Sequence, residues 1–113
     1  MNILIGGKSF HATLVDNTTS NAFKSFMPLT LDMIELNANE KYADLPKALP
    51  QKASNPGKIK VGDIMLYGSS TLVIFYKAFS TPYSYTPIGK IDNPEGLDDA
   101  LGSGNVTVVF KLD

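Results

Sequence analysis

The chain has 113 residues, 43% of them hydrophobic and 19% charged, with a formal net charge of −1. That length and apolar share predict one domain, 1–113, with its own core, and exclude a disordered tail. The absence of cysteine removes disulfides, thiol redox chemistry and thiolate metal sites. All ten basic residues are lysine, which argues against a nucleic-acid partner, because arginine supplies the forked donors that read phosphates and base edges.

The run Met1 to Gly6 has no basic residues and only a short apolar stretch, Ile3 to Ile5. It reads as neither signal peptide nor membrane span, so a cytoplasmic protein with no membrane partner is expected. Asn2–Ile5 and Phe10–Val15 are strand candidates joined across Gly6-Gly7-Lys8-Ser9. Gly7-Lys8-Ser9 invites a phosphate-loop reading, but Asn2 stands where the leading glycine is required and no helix pattern follows. Asp16-Asn17-Thr18-Thr19 supplies helix-capping residues, and Ala22, Phe23, Phe26 and Met27 mark one apolar helical face, ended by Pro28.

Leu29 to Met33 alternates as a strand, and Asn37-Ala38-Asn39-Glu40 reads as a turn. From Tyr42 to Gly57 the prolines Pro46, Pro50 and Pro56 predict a long surface excursion. Lys47, Lys52, Lys58 and Lys60 read as a solvated stretch. Strands are expected at Ile59–Val61, Ile64–Tyr67 and Thr71–Phe79, then a loop from Thr81 to Pro87. Asp92-Asn93-Pro94-Glu95 predicts a helix start and Gly102-Ser103-Gly104 its stop, before a last strand from Asn105 to Leu112. The total, about seven or eight strands and two short helices, suits a sheet that closes on itself.

The order of these pieces resembles a known family. The segments Asp16-Asn17-Thr18-Thr19 with Ala22-Phe23, Tyr42-Ala43-Asp44-Leu45-Pro46, Gly62-Asp63-Ile64, Ile74-Phe75-Tyr76 and Ile88-Gly89-Lys90-Ile91 carry the likeness. They are similar to the short bacterial and archaeal cyclophilin-like proteins, relatives of the peptidyl-prolyl isomerases. The resemblance implies a mainly β fold: a closed, antiparallel, eight-stranded barrel with a short helix capping each open end. True cyclophilins isomerise X-Pro bonds on the outer barrel face with a Phe-His-Arg strand, a Gln-Phe-Phe strand, and a later Trp and His. Here the corresponding segment reads Leu31-Asp32-Met33-Ile34-Glu35, and arginine and tryptophan are both absent. Of the family's site, only Phe75 is carried over, as the aromatic of the proline pocket. An arginine would polarise the prolyl nitrogen as amide resonance is lost, so the chain is expected to lack that step.

No catalytic constellation emerges from the residues themselves. His11 is the only histidine; no serine lies in a nucleophile-elbow context, and a barrel-rim histidine is the expectation. With one histidine and no cysteine, no metal and no cofactor are expected, and Asp92, Glu95, Asp98 and Asp99 read as a helix cap and its charged face. The aromatics Phe75, Tyr76, Phe79, Tyr83 and Tyr85 crowd one short segment. Alternation puts Val73, Phe75 and Lys77 on one strand face, which the lysine marks as open to solvent or a groove. The resulting expectation is a binding module for a small molecule or extended peptide, walled by those five rings with Tyr42 and Leu45 opposite. Phe75→Ala should then weaken binding without unfolding the chain. A weak prolyl isomerase acting by desolvation and ring clamping is the alternative, and a protein-docking subunit a third reading.

Overall fold

A computed structural model covers residues 1–113. In chain order the elements are β1 (Asn2–Ile5), β2 (Lys8–Leu14), α1 (Thr18–Lys24), β3 (Leu29–Leu36), β4 (Glu40–Asp44), β5 (Lys58–Ile59), β6 (Asp63–Tyr67), β7 (Thr71–Phe75), β8 (Phe79–Ser80), β9 (Thr86–Ile91), α2 (Leu97–Leu101) and β10 (Val106–Lys111). Eight of the strands form a closed barrel in the order β1-β10-β3-β4-β7-β6-β9-β2, and β5 and β8 form a separate two-stranded sheet. Every pairing is antiparallel. No helix is long and apolar enough to cross a membrane.

The first hairpin turns on Gly6 and Gly7 alone, both at positive φ (53° and 86°), with Ile5 facing Lys8 across the pair. Two successive positive-φ residues make the tight turn whose twist suits a hairpin, so the Gly-Lys-Ser run is a hairpin and not a phosphate loop. Helix α1 starts where the capping cluster predicts: the Asn17 side chain accepts from the Ser20 amide at 2.7 Å. Its regular turns stop at Lys24, and Phe26 and Met27 follow in tighter i→i+3 turns. Phe23 still enters the core, meeting the Phe110 ring edge-on at 5.8 Å.

Strand directions place α1 at one barrel end, where β10 finishes and β9 begins, and α2 at the other. Helix α1 buries Phe23, and α2 buries Leu97 and Leu101. The predicted start of α2 at Asp92 is displaced to Leu97 because Asp92 is engaged elsewhere. Its carboxylate bonds His11 and Thr13 across the barrel wall. Gly96, at φ 78°, becomes the cap instead.

Two further expectations are corrected. Tyr42 does not open a surface excursion, because Glu40–Asp44 is a barrel strand paired with β3 on one side and β7 on the other. The expected strand 71–79 splits at Phe75: β7 stays in the barrel, while Phe79 and Ser80 leave it to pair with Lys58 and Ile59. Apolar side chains accordingly form two clusters. The larger fills the barrel. The smaller, Ile59, Met65, Val73, Phe75 and Tyr85, lies on the outer face of β6 and β7 under the β5–β8 sheet, with Tyr42 and Phe79 against it.

Candidate functional site

Period-two alternation decides which side chains leave the barrel wall. On β7, Leu72 and Ile74 point into the barrel core while Val73 and Phe75 join the outer cluster. Register then carries one outward row across the wall: Ile34 faces Tyr42, Tyr42 faces Val73, and Val73 faces Met65. Above this row the wall is concave, forming a groove of about 460 Å³. Leu36 and Tyr42 border it on the β3–β4 side, Tyr67 on the β6 side, and Phe79, Tyr83 and Tyr85 come from the segment that leaves the barrel. The rings are in contact: Tyr67 lies 6.4 Å from Tyr83 and 5.7 Å from Tyr85, and Phe75 lies 5.5 Å from Tyr85.

Of the seven residues singled out from sequence, Tyr42, Phe79, Tyr83 and Tyr85 come together on the groove. Phe75 lies beneath them with no exposed surface. Lys77 misled the reading of that face, since it lies beyond the end of β7 and shares no alternation with Phe75. Tyr76 and Leu45 are elsewhere, both packed into the barrel core. Tyr76 sits at the α2 end and donates its hydroxyl to Glu35 at 2.6 Å. Burial, and then the negative Glu35 partner, push its pKa up to about 12. Leu45 closes the opposite end, its amide held by the Ser70 carbonyl at 2.7 Å.

The sequence reading did not single out Tyr67, Leu36 or Glu40. The signal for Tyr67 was parity: Ile64 and Leu66 face in, so Met65 and Tyr67 face out beside Val73. Glu40 lines the groove with only 8% of its surface exposed. Burial, and then the nearby charge of Glu35, raise its pKa. No hydrogen bond from the chain offsets either effect.

A second hollow of about 510 Å³ lies beside β2, bordered by His11, Thr13, Lys24 and Asp113. Its polar groups already hold one another. His11 Nδ1 bonds Asp92 at 2.6 Å, its Nε2 bonds Asp113 at 3.2 Å, and the Thr13 hydroxyl donates to Asp92 at 2.7 Å. The only hydroxyl in this array is committed to a carboxylate and not to the histidine, so the array has no nucleophile to activate. No group of three or more His, Cys, Asp or Glu side chains is placed to hold a metal ion.

A family model described as the cyclophilin-like family matches residues 3–111. The chain belongs to the cyclophilin-like family. No curated protein matches it. Within this cyclophilin-like barrel the groove occupies the outer face of β4, β7 and β6, and neither arginine nor tryptophan is available to it.

Proposed function

We propose that this cyclophilin-like protein is a binding module that takes a small apolar molecule or an extended peptide into its outer groove. The observation that carries the reading is the groove's lining. Four of the chain's five tyrosines border it, with Leu36, Val73 and Phe79 as apolar surface between them. Ligand sites characteristically have volumes of about 300–1,000 Å³, with mostly apolar walls and few polar groups. The groove fits that description. Exposed tyrosines also provide broad apolar contact at small entropic cost, with a hydroxyl left for hydrogen bonding.

The same tyrosines offer the test. With no tryptophan in the chain, intrinsic fluorescence reports chiefly on the groove. A panel of aromatic fragments and Xaa-Pro peptides should quench or shift that emission saturably. Tyr42→Ala and Tyr83→Ala should each weaken the interaction about tenfold, which corresponds to about 1.4 kcal/mol. Saturable binding unchanged in both variants would place the ligand elsewhere. The peptides also test turnover: isomerisation well above the uncatalysed rate, tens to hundreds of seconds per event, would make the protein an enzyme instead.

A further inference from the structure

We propose that the groove selects ligands carrying a protonated amine on an apolar or aromatic body, with the Glu40 carboxylate as counter-ion. The inference rests on the binding reading above and narrows it to a ligand class.

Glu40 stands on β4 between Leu36 on β3 and Phe75 on β7, in direct register with both. Two apolar neighbours and the rings beyond them leave it 8% exposed, facing the groove. The chain offers it no cation. None of the residues bordering the groove is a lysine. Lys41, next in sequence, points to the opposite side of the wall, where its ammonium is taken by Glu35 and by the carbonyls of Gly102 and Gly104. The charge that acts on Glu40 is that of Glu35, of the same sign. A second acceptor lies alongside: Asn39 also borders the groove, and its Oδ1 is buried without a partner.

Glu40 is largely covered but its carboxylate oxygens still reach the groove, so the charge is partly desolvated and without a partner, which disfavours its ionised form. Such a group on a ligand-sized concavity acts as a filter. A neutral apolar ligand would complete its desolvation and return nothing, and an anion would be repelled. An ammonium would supply the missing donors and charge, strengthened by the low dielectric of the groove. The ring faces around it act in the same sense, because aromatic faces attract cations.

The test compares matched pairs on the intact protein by fluorescence and by chemical shifts of the tyrosine rings. The small pair is 2-phenylethylamine against 2-phenylethanol. The peptide pair is acetyl-Phe-Lys-Phe-amide against its norleucine analogue. At least one amine should bind tenfold or more tightly than its neutral counterpart; preference within the first pair indicates a free amine, within the second a lysine side chain. Glu40→Gln should erase that preference while raising the thermal midpoint of the ligand-free protein, since it removes a partly desolvated charge that has no partner. Equal binding within both pairs, or a preference that survives Glu40→Gln, overturns amine selection but leaves the groove as a binding site. Failure of all four probes to perturb Tyr42, Tyr67 and Tyr83 overturns both. The wild-type comparison stands by itself should the variant fold poorly.

Discussion

Phe75 and Tyr83 belong to one aromatic cluster, yet their exposures, 0% and 59%, give them opposite consequences. Phe75 supports the groove from below through Phe79, 5.7 Å away, and Tyr85. Truncating a fully buried phenylalanine costs about 3–5 kcal/mol, so Phe75→Ala should lower the urea midpoint sharply and reduce binding only as the folded fraction falls. This reverses the expectation drawn from Lys77. Tyr83→Ala, by contrast, should leave stability within about 0.5 kcal/mol while weakening binding. His11 makes a prediction of a different kind. The Asp92 and Asp113 carboxylates, each accepting from its ring, raise its pKa. A raised histidine contributes stability that is complete below the unfolded value of about 6.5 and lost as pH climbs through the higher folded value. Asp92, lowered by the Thr13 and then the His11 hydrogen bonds, adds stability above the ordinary carboxylate range and loses it as pH falls through its lowered value. The deficit of His11→Phe should therefore be greatest near pH 5 and shrink at alkaline pH. Urea titrations at both pH values check this, and an equal deficit at each would show that packing, not charge, is what His11 supplies.

At the scale of elements, β4 shows what the sequence concealed. Three of its five residues, Glu40, Lys41 and Asp44, are charged, and prolines follow closely, so local pattern argues for a loop. What makes it a strand is remote: Lys41, fully buried, finds Glu35 from β3 at 3.0 Å, two glycine carbonyls beyond α2, and the Tyr76 ring 5.4 Å below its ammonium. Glu35 is only six residues away, but the two carbonyls and the Tyr76 ring are distant in sequence, so no window around residue 41 contains the whole reason for its burial. The elements that were legible had local causes: the Gly6-Gly7 turn, the Asn17 cap, the short apolar run of β6 and the alternation of β10. The groove was half legible for the same reason. Aromatic clustering found Phe79, Tyr83 and Tyr85, whereas Tyr67 and Glu40 needed strand register. The Lys41 network is also testable. Glu35 is held below its usual value because donors from Tyr76, Lys41 and the Ala38 amide outweigh its burial. Lys41→Met strips one of those donors and strands two carbonyls, which should cost about 3 kcal/mol, in the range for breaking a buried pair. Chemical denaturation measures it. A neutral result would mean that water reaches the orphaned groups.

At the scale of the whole molecule, barrel closure depends on a short seam. Strands β2 and β9 pair only as Ala12 with Ile91, Thr13 with Lys90 and Leu14 with Gly89. Against β6, β9 is irregular: Ile64 faces Gly89 but Met65 faces Pro87, which leaves Ile88 as an extra residue. Such a bulge bends its strand and re-aims side chains. Here the Ile88 side chain turns into the core, and its carbonyl accepts from the Val15 amide at 2.8 Å and the Ser20 hydroxyl at 2.7 Å. One carbonyl thus ties the end of β2 and helix α1 to the bend in β9. The bend brings the backbones so close that a Cβ at Gly89 would stand 2.6 Å from the Thr13 carbonyl oxygen. A backbone atom cannot swing aside as a side chain can, so Gly89→Ala must push β2 off β9. The expected cost is about 1–3 kcal/mol, the range for forcing extra atoms into a packed site. Its distribution matters more than its size. Hydrogen exchange should quicken first at the amides of residues 12–15 and 89–91, while those of β3 and β4, on the other side of the barrel, keep their protection. Gly104→Ala, where a Cβ would meet nothing within 4 Å, is the matched control and should leave exchange unchanged. Uniform acceleration around the barrel in Gly89→Ala would instead mean that the wall opens as one cooperative unit, with no separable seam.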